Sequence, residues 1–470
     1  MITIGKNKWP DYVKKAVGNE KSIEIKEHKG KYYAYKYKSM WDSENKIPKR
    51  KSEYIGVINH KGLKAPYESI LNGIYEYGNV MFVYEVLEKN GVVDSLKEIF
   101  PDDWKTILSF AMNRLIDPRS IKSMQSWYEK TYLIKFFGND FYPKKISGVL
   151  ERIGMSWGSQ MDFLKKLKKD GEKVVYDGSV IFSSSKDNPI LEVGYNKDSL
   201  TIPKANIVMA FSHSRFLPIF FRVVPGCIHE ITTIDILLEE LGNDIILVMD
   251  KGFISKKSLK KMSAKSKFVL PLKRDSRMIN YDKKLDNYFM YKKHPIKYCN
   301  YKKNDFYVYI YQDIRVKYNE EMNYFHRLSK GKRARWNEKY AAKFAIVSNI
   351  KSTPQEIYEI WKTRNGVEMA FDVLQNFLET DRPYVHKEEI FKGYLFCSFI
   401  GLMAYYHILK MLKDAGINYK VSVSDVLLEL SKIYKVEING KEMISERVKK
   451  ARKVLRKLKM INLITNSGRS

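Results

Sequence analysis

Two apolar runs, each leading into an aspartate, restrict the possible fold of this chain more than any other feature. The first is Val174–Ser179, VVYDGS, and the second is Ile245–Phe253, IILVMDKGF. The β-branched and apolar residues predict a buried strand in each run. A carboxylate at the end of such a strand points out of the sheet edge, where ligands of α/β sheets usually bind, so Asp177 and Asp250 are candidate site residues. Each aspartate alone is equally consistent with an ordinary turn.

A glutamate lies on a long predicted helix further along the chain. The segment Ser352–Glu356 combines hydroxyl, proline and acidic residues, which predicts a helix start, and the helix is predicted to run from Tyr358 to Leu378. An apolar stripe should face a core: Ile360, Val367, Phe371, Leu374 and Leu378. A second stripe lies roughly 80° away and comprises Trp361, Arg364, Glu368 and Gln375. On its own, the Arg364–Glu368 pair is an ordinary helix salt bridge worth about 0.3–0.5 kcal/mol.

The three carboxylates together suggest more than any one of them. Asp177, Asp250 and Glu368 could hold two divalent metal ions about 3.5–4 Å apart, an arrangement that supports in-line phosphoryl displacement. In this order they resemble the Asp-Asp-Glu catalytic set of insertion-sequence transposases with a ribonuclease H-like core. The segment Met249–Phe253 is also similar to the Asp-Arg-Gly-Phe segment of these enzymes. The likeness covers most of the chain.

The predicted helix resembles the signature of one large bacterial and archaeal group of these transposases, in which Tyr, Arg, Glu and Lys follow one another at fixed spacings. Arg364 and Glu368 match this pattern, whereas Trp361 replaces the tyrosine and Gln375 replaces the lysine. The resemblance implies that Arg364 holds a phosphate near the cleaved bond and that Trp361 and Gln375 support the DNA end. Lys251, directly after the second aspartate, is a further candidate DNA contact.

The resemblance implies a DNA transposase that binds the ends of an insertion sequence and catalyses metal-dependent strand cleavage and strand transfer. Its expected cofactor is Mg²⁺, with Mn²⁺ as a substitute, because hard oxygen ligands and phosphate suit these ions. Its expected partners are DNA ends with terminal inverted repeats, target DNA and, on DNA, a second protomer. Two alternatives stay open. One is a transposase-derived DNA-binding protein with weak or no catalysis, which the replacements at Trp361 and Gln375 motivate, and the other is a nuclease without strand transfer.

The charge balance agrees with a polyanionic partner. The chain has 84 lysines and arginines against 54 acidic residues, which gives a formal net charge of +30 and a pI of about 9.6. A lysine-rich genome or a ribosome-associated chain would give the same balance.

Cysteine usage and apolar runs bear on the compartment. The three cysteines have no Cys-x-x-Cys spacing, which argues against a zinc ribbon or a disulfide framework and favours a reducing cytoplasm, where we expect nucleoid association. The N-terminal sequence lacks the apolar region of a signal peptide. The uncharged run Gly393–Leu409 is slightly shorter than a membrane span, and we interpret it as a buried helix, so no membrane partner is expected.

We predict a multidomain α+β or α/β chain built around a ribonuclease H-like mixed sheet. The predicted segments are an N-terminal β-rich arm at 1–65, a helical region at 66–170, the first part of the core at 171–272, a β-rich basic insertion at 273–349, the second part of the core at 350–412 and a basic helical tail at 413–470. The arm is equally consistent with DNA contact and with solvated strands whose edges are guarded by lysines.

The first part of the core should contain three antiparallel strands and then alternating helices and strands, as a ribonuclease H-like sheet requires. The predicted strands lie near Val174–Tyr176, Ile207–Phe211, Ile219–Val224, Ile245–Met249 and Phe268–Leu272, with a further short strand around Ile190–Val193. The predicted helices are Thr233–Leu241 and Ser255–Met262.

The insertion and the two helical regions supply further candidate DNA contacts. In the insertion these are Lys332, Arg333 and Arg335 for phosphates and Trp336 for stacking on a flipped base, as the resemblance suggests. In the helical region, helices are predicted at Ile70–Lys89, Trp104–Arg114 and Ile121–Tyr128, with Arg114 and Trp127 among the candidates. A packing bundle with solvated charges fits that region equally well. The basic amphipathic helix predicted at Ser445–Leu458 could bind DNA or a second protomer, or lie exposed.

Overall fold

A computed structural model of the chain describes most of its residues. The described residues are 1–20, 22–42, 47–64, 71–167, 173–182, 185, 188–192, 203–225, 245–249, 256–333, 335–380, 383, 385–445 and 449–465. They fall into two compact units, one of Met1–Gly73 with Glu437–Glu442 and one of Ile74–Val436 with Met443–Ser470. The finer division into six segments stays a prediction.

The first unit contains a five-stranded antiparallel sheet in the order β1-β2-β3-β4-β5, as the alternating pattern of its sequence predicts. Its elements are β1 (Ile2–Ile4), a 3₁₀ turn (Lys6–Lys8), α1 (Asp11–Val17), β2 (Ile23–His28), β3 (Lys31–Asp42), β4 (Ile47–Asn59) and β5 (Gly62–Lys64). A small core forms between α1 and one face of the sheet, where Val13, Ile25 and Ala34 are fully buried.

Helices dominate the chain from Gly78 to Leu167. After strand β6 (Leu71–Glu76), the helices are α2 (Gly78–Lys89), α3 (Val92–Ile99), α4 (Trp104–Ile116), α5 (Ile121–Lys130), α6 (Leu133–Phe137), α7 (Pro143–Met155) and α8 (Trp157–Leu167). The predictions at α4 and α5 are confirmed. The prediction of a helix over Ile70–Lys89 is wrong in its first part, because Gly73 disfavours a helix and Ile74 and Tyr75 favour an extended chain.

A nine-stranded mixed sheet forms the centre of the second unit. Its first strands are β7 (Lys173–Phe182), β8 (Lys204–Ser212), β9 (Leu217–Pro225), β10 (Ile246–Val248) and β11 (Lys267–Pro271), with α9 (Lys256–Lys265) before β11. These five strands lie in the order β9-β8-β7-β10-β11. The three strands β7, β8 and β9 are antiparallel, whereas β10 runs parallel to both β7 and β11. The predicted core topology is therefore confirmed for the described strands.

Two predictions within this core have other outcomes. Around Ile190–Val193, the described residues form a turn and a single bridge between Glu192 and Lys204 instead of the expected strand. The predicted helix at Thr233–Leu241 lies outside the described residues.

The predicted insertion continues the same sheet beyond β11. Its elements are β12 (Asn287–Tyr291), β13 (His294–Lys303), β14 (Phe306–Asp313), α10 (Ile314–Ser329) and β15 (Lys343–Ser348), and the strand order β12-β13-β14-β15 ends against β11. The insertion has four strands, in agreement with the expected β-rich segment, and it also contains the unexpected helix α10. The start of α10 is capped because the Asp313 side chain accepts hydrogen bonds from the backbone N–H groups of Arg315 and Val316. None of its residues is buried, so α10 lacks a core-facing stripe that would reveal it in the sequence.

The remaining elements complete the second part of the core and the C-terminal region. They are α11 (Pro354–Lys362), α12 (Asn365–Asp372), a π-helical turn (Val373–Phe377), α13 (Glu388–Asp414), α14 (Val423–Leu430), β16 (Tyr434–Ile438), β17 (Lys441–Ile444), α15 (Lys449–Lys457) and α16 (Asn462–Thr465). In the basic helix α15, Ala451 and Leu455 are buried, so this helix packs against the unit through its apolar side.

Helix α13 contains the uncharged run that sequence analysis singled out. By length and composition alone it could cross a membrane, and 72% of its most apolar window is buried inside the protein. It packs against α7, α4 and β9. This environment confirms the interpretation of a buried helix, since a core helix passes the same test of length and hydropathy.

Candidate active site

Asp177 lies on β7, the strand at the centre of the ribonuclease H-like part of the sheet. It lies in the middle of this strand and not, as the sequence suggested, at its end, because the pairing of β7 with β8 continues to Phe182. Asp177 is half-buried, and its Oδ1 accepts a hydrogen bond of 2.9 Å from the backbone N–H of Gly178. Tyr176, directly before it, is fully buried. The sheet pairs Asp177 with Met209 of β8 on one side. The carboxylate is therefore attached to a rigid strand and not to a loose turn, which favours a site over the alternative of a turn residue.

The second aspartate follows the neighbouring strand. In β10, Val248 pairs with Val175 of β7 in parallel register. Asp177 comes two residues after Val175 in the sequence, and Asp250 comes two residues after Val248. Asp250 and Lys251 lie outside the described residues.

The predicted helix over Tyr358–Leu378 is divided into three helical pieces. Helix α11 begins at a capping box, in which the Thr353 side chain accepts from the N–H of Glu356 while the Glu356 side chain accepts from the N–H of Thr353. At the junction, the N–H groups of Thr363, Arg364 and Gly366 each bond to the carbonyl three residues earlier, as in a 3₁₀ turn. The prediction of one uninterrupted helix is therefore corrected.

A close packing contact explains why the helix changes its geometry at this point. A Cβ atom added to Gly366 would lie 2.9 Å from the ring of Phe211 on β8. The helix backbone can rest on this ring only where the side chain is absent. The predicted apolar stripe is confirmed, since Val367, Phe371, Leu374 and the rest of the set are buried.

Arg364 and Glu368 stand on the other side of α12. The Arg364 Nη2 donates to Glu368 Oε1, and the two side chains are 23% and 47% exposed. Helix α12 packs on β7 and β8, the strands that carry and adjoin Asp177. Glu368 is thus an accessible carboxylate on an element that lies against the strand of Asp177, with a guanidinium at its side.

Trp361 and Gln375, the two replaced signature positions, both contact the protein itself. The Trp361 ring packs 4.6 Å from the ring of Phe344 on β15, and its Nε1 is buried with no hydrogen-bond partner among the described residues. The Gln375 amide donates to Ser179 Oγ at 3.0 Å and to the Val180 carbonyl at 2.9 Å. Gln375 therefore fastens the π-helical turn to the strand of Asp177. Support of the DNA end by these residues stays a prediction.

We expect Gln375→Ala to lower the free energy of unfolding by about 1–2 kcal/mol, because it leaves two partners on β7 without their donor. Asn376→Ala is the matched control, since Asn376 bonds only to the exposed Asp372 of its own helix among the described residues and should cost less than about 0.5 kcal/mol. Urea unfolding of both variants measures the difference. Equal losses for the two variants would contradict the role assigned to Gln375.

Sequence analysis missed the role of Arg114, whose guanidinium bonds to the backbone that follows the π-helical turn. Arg114 of α4 is only 4% exposed, and its guanidinium donates to the carbonyls of Leu378, Glu379 and Arg119. Its burial lowers the pKa of Arg114, and the ring of Tyr394 lies 5.3 Å from its guanidinium carbon. The interpretation of Arg114 as a DNA contact is therefore wrong. Trp127 is likewise buried at 2% exposure.

The basic segment of the insertion borders an open cleft. Lys332, Arg333 and Arg335 are exposed, and Trp336 is half-buried 5.9 Å from the ring of Tyr324 on α10. The cleft has a volume of about 390 Å³, and its lining includes Arg335 and Trp336 together with Arg274, Arg327, Tyr324 and Tyr340. Cationic and aromatic side chains thus meet at one surface, where the predicted DNA contacts can be tested.

The oxygen donors present suit a hard divalent cation. Among the described residues there is no group of three or more His, Cys, Asp or Glu side chains positioned to hold a metal, and Asp250 is outside that set. Asp177 and Glu368 offer carboxylate oxygens, the type of donor that Mg²⁺ and Mn²⁺ prefer.

The strand order and the central-strand aspartate define a protein with a ribonuclease H-like core. Comparison with protein families narrows this class, because residues 172–403 match the model of the transposase DDE domain. The matched segment contains Asp177, Asp250 and Glu368.

Comparison with individual proteins gives a more distant likeness. Among solved structures, the chain is similar to one in the cryo-EM structure of a piggyBac transposase synaptic complex with hairpin DNA, with a TM-score of 0.45 and 11% sequence identity over 84% of this chain and 87% of that chain. No curated protein matches the chain.

Proposed function

We propose that this protein is a DNA transposase that binds the ends of an insertion sequence and carries out metal-dependent strand cleavage and strand transfer. The observation that carries the proposal is the placement of Asp177 on β7 and of Glu368 on α12, the helix that packs on that strand. In the sequence, Asp177 and Asp250 each come two residues after one of the paired residues Val175 and Val248, which supports Asp250 as a member of the set. The match of residues 172–403 to the model of the transposase DDE domain supports the reaction class.

Asp177, Asp250 and Glu368 are the residues that would hold the divalent metal, Mg²⁺ with Mn²⁺ as a substitute. When bound, the metal would activate the attacking hydroxyl group and stabilise the charge on the leaving oxygen. The three carboxylates are acceptors only, so their contribution is negative charge and fixed geometry. The sheet and α12 supply that geometry through Gly366 and Gln375, which fix the helix on β8 and β7.

Arg364 would orient the scissile phosphodiester. Its guanidinium is a planar fork that fits two phosphate oxygens, and it is 23% exposed beside Glu368. In the free protein the pair with Glu368 keeps this side chain in place. On binding DNA, the phosphate would compete for the same donors, while the basic segment Lys332–Arg335 would contact phosphates further from the cleaved bond.

Neither reaction step needs a nucleotide cofactor. In cleavage, water attacks the phosphodiester and the leaving 3′-oxygen takes up a proton. In strand transfer, that 3′-hydroxyl attacks a target phosphodiester, so one P–O bond forms as another breaks. The exchange is close to isoenergetic, and positioning can supply much of the rate enhancement.

The test is a strand-cleavage and joining assay with purified protein and DNA carrying the sequences that flank its own gene. We expect cleavage at a defined end with Mg²⁺ or Mn²⁺, no cleavage with EDTA, and joined products when target DNA is added. Cleavage without joining would identify a nuclease instead. Binding without any cleavage would favour the alternative of a transposase-derived DNA-binding protein. Trp361 and Gln375, the two replaced signature positions, would then be the first residues to change back to tyrosine and lysine.

A further inference from the structure

The two longest strands of the first unit continue beyond their sheet. Strands β3 and β4 pair from Tyr32 opposite Ile58 to Asp42 opposite Ile47. The neighbouring β2 pairs with β3 only up to Lys36, with one further backbone bond to Tyr37, and β5 pairs only with the other end of β4. Among the described residues, 38–42 and 47–51 therefore form a two-stranded ribbon, here called the β3–β4 ribbon.

The β3–β4 ribbon carries a charge arrangement that is unfavourable in the free protein. Lys38 lies directly opposite Lys51, and both side chains are exposed. Like charges opposite each other destabilise a strand pair, so an isolated hairpin gains nothing from this pairing. Arg50, next to Lys51, stacks with its guanidinium carbon 3.5 Å from the ring of Tyr37. A polyanion that binds the ribbon would neutralise the repulsion.

The ribbon also exposes large apolar side chains. Trp41 is 67% exposed and Met40 is 53% exposed. Both side chains could be covered if the ribbon lay against the surface of a partner. Residues 1–73 contain twice as many lysines and arginines as acidic residues, so that surface is expected to be negatively charged. Both observations are independent of the candidate active site, which lies in the other unit.

We propose that the β3–β4 ribbon enters the major groove of duplex DNA, with Lys38 and Lys51 on the phosphates and Trp41 against the groove. Five residue pairs at roughly 3.4 Å each give a ribbon about 17 Å long, and the major groove, about 12 Å wide, admits a two-stranded ribbon. The inference rests on the proposed function for its choice of DNA as the partner, and it assigns the first unit a duplex-binding role separate from cleavage.

The test compares two double variants of the full chain in binding to a fluorescent duplex that carries the sequence flanking the gene. Lys38→Ala with Lys51→Ala should weaken binding roughly tenfold and lower the salt dependence of log K by about 2, one phosphate contact for each lysine. This variant removes a repulsive pair, so its folding should be intact. The control, Lys15→Ala with Lys61→Ala, makes the same change in charge at exposed sites outside the ribbon and should alter affinity by less than about twofold.

Three results would overturn the proposal. The first is unchanged affinity and salt dependence in the ribbon variant. The second is an equal loss in the control, which would show an effect of net charge alone. The third is competition by the unlabelled single strand as strong as that by the duplex, which would assign the ribbon to unpaired strands. Failure of cleavage with ribbon-dependent duplex binding intact would count only against the proposed catalytic function.

Discussion

Replacing Glu368 with glutamine should reduce metal-dependent strand cleavage by roughly a thousandfold or more while duplex binding stays close to that of the natural protein. The substitution keeps the size of the side chain and removes its negative charge. Glu368 is 47% exposed on α12 and paired with Arg364. Since this surface pair contributes little to stability, the folded protein should persist. The loss would then come from a missing carboxylate ligand and not from unfolding.

The matched control is Glu359→Gln on α11, the helix that immediately precedes the junction. Glu359 is also exposed and helical, and it accepts a hydrogen bond from Gln355, one turn away. The same chemical change at this position should leave cleavage within about twofold, because it lies on a different helical piece. Cleavage kinetics of both variants on the flanking-DNA substrate make the comparison. Similar rates for Glu368→Gln and Glu359→Gln would contradict the assignment of the site.

Asp250→Asn is a second test of the proposed carboxylate ligands of the metal. Asp250 comes two residues after Val248, the last residue of β10, and lies outside the described residues. We expect it to abolish cleavage and leave DNA binding largely intact, as for Glu368→Gln. Cleavage retained in Asp250→Asn but lost in Glu368→Gln would remove Asp250 from the metal-binding set while keeping Glu368.

The strands of the core could be predicted from the sequence because each buried strand is a short run of apolar residues. Residues 173–175 of β7 pair with residues 246–248 of β10 inside the sheet, and strands so placed need apolar residues on both faces. The helix start at Thr353 could also be predicted, because the contacts of its capping box join residues only three positions apart. Features set within a few residues of the chain are those that a single sequence reveals.

The parts that sequence reasoning missed depend on contacts between distant residues. The break in the helix between Lys362 and Asn365 reflects packing of Gly366 on Phe211, more than a hundred residues earlier in the chain. A glycine within the predicted helix was the available signal. Arg114 looked like a DNA contact because a lone arginine on a helix gives no indication that the carbonyls of Leu378 and Glu379 will surround it.

A different prediction concerns the stability of the unit that carries the candidate active site. Helices α7 and α13 approach so closely that each places a glycine against the backbone of the other. A Cβ atom at Gly154 of α7 would overlap the backbone of Glu389, and one at Gly393 of α13 would overlap the backbone of Leu150. Backbone atoms of packed helices cannot move aside as a flexible side chain can, so the helices would have to separate.

We therefore expect Gly154→Ala to lower the free energy of unfolding by about 2–3 kcal/mol, although alanine favours helices more than glycine does. Gly148→Ala on the same helix should have the opposite sign and stabilise the protein by about 0.5–1 kcal/mol. At Gly148 the nearest atom to an added Cβ is the end of the Arg152 side chain at 3.6 Å, an ordinary contact. Urea or thermal unfolding of the two variants measures both changes in the free energy of unfolding.

The opposite signs make this comparison sensitive to packing alone, because helix propensity changes equally at the two positions. Stabilisation by both substitutions would show that α7 and α13 are further apart than the structure places them. A loss at Gly154 should also reach the candidate active site, since α13 packs on β9, the strand that joins β7 through β8. Cleavage by Gly154→Ala should therefore fall at a lower temperature than cleavage by Gly148→Ala, with equal activity where both remain folded.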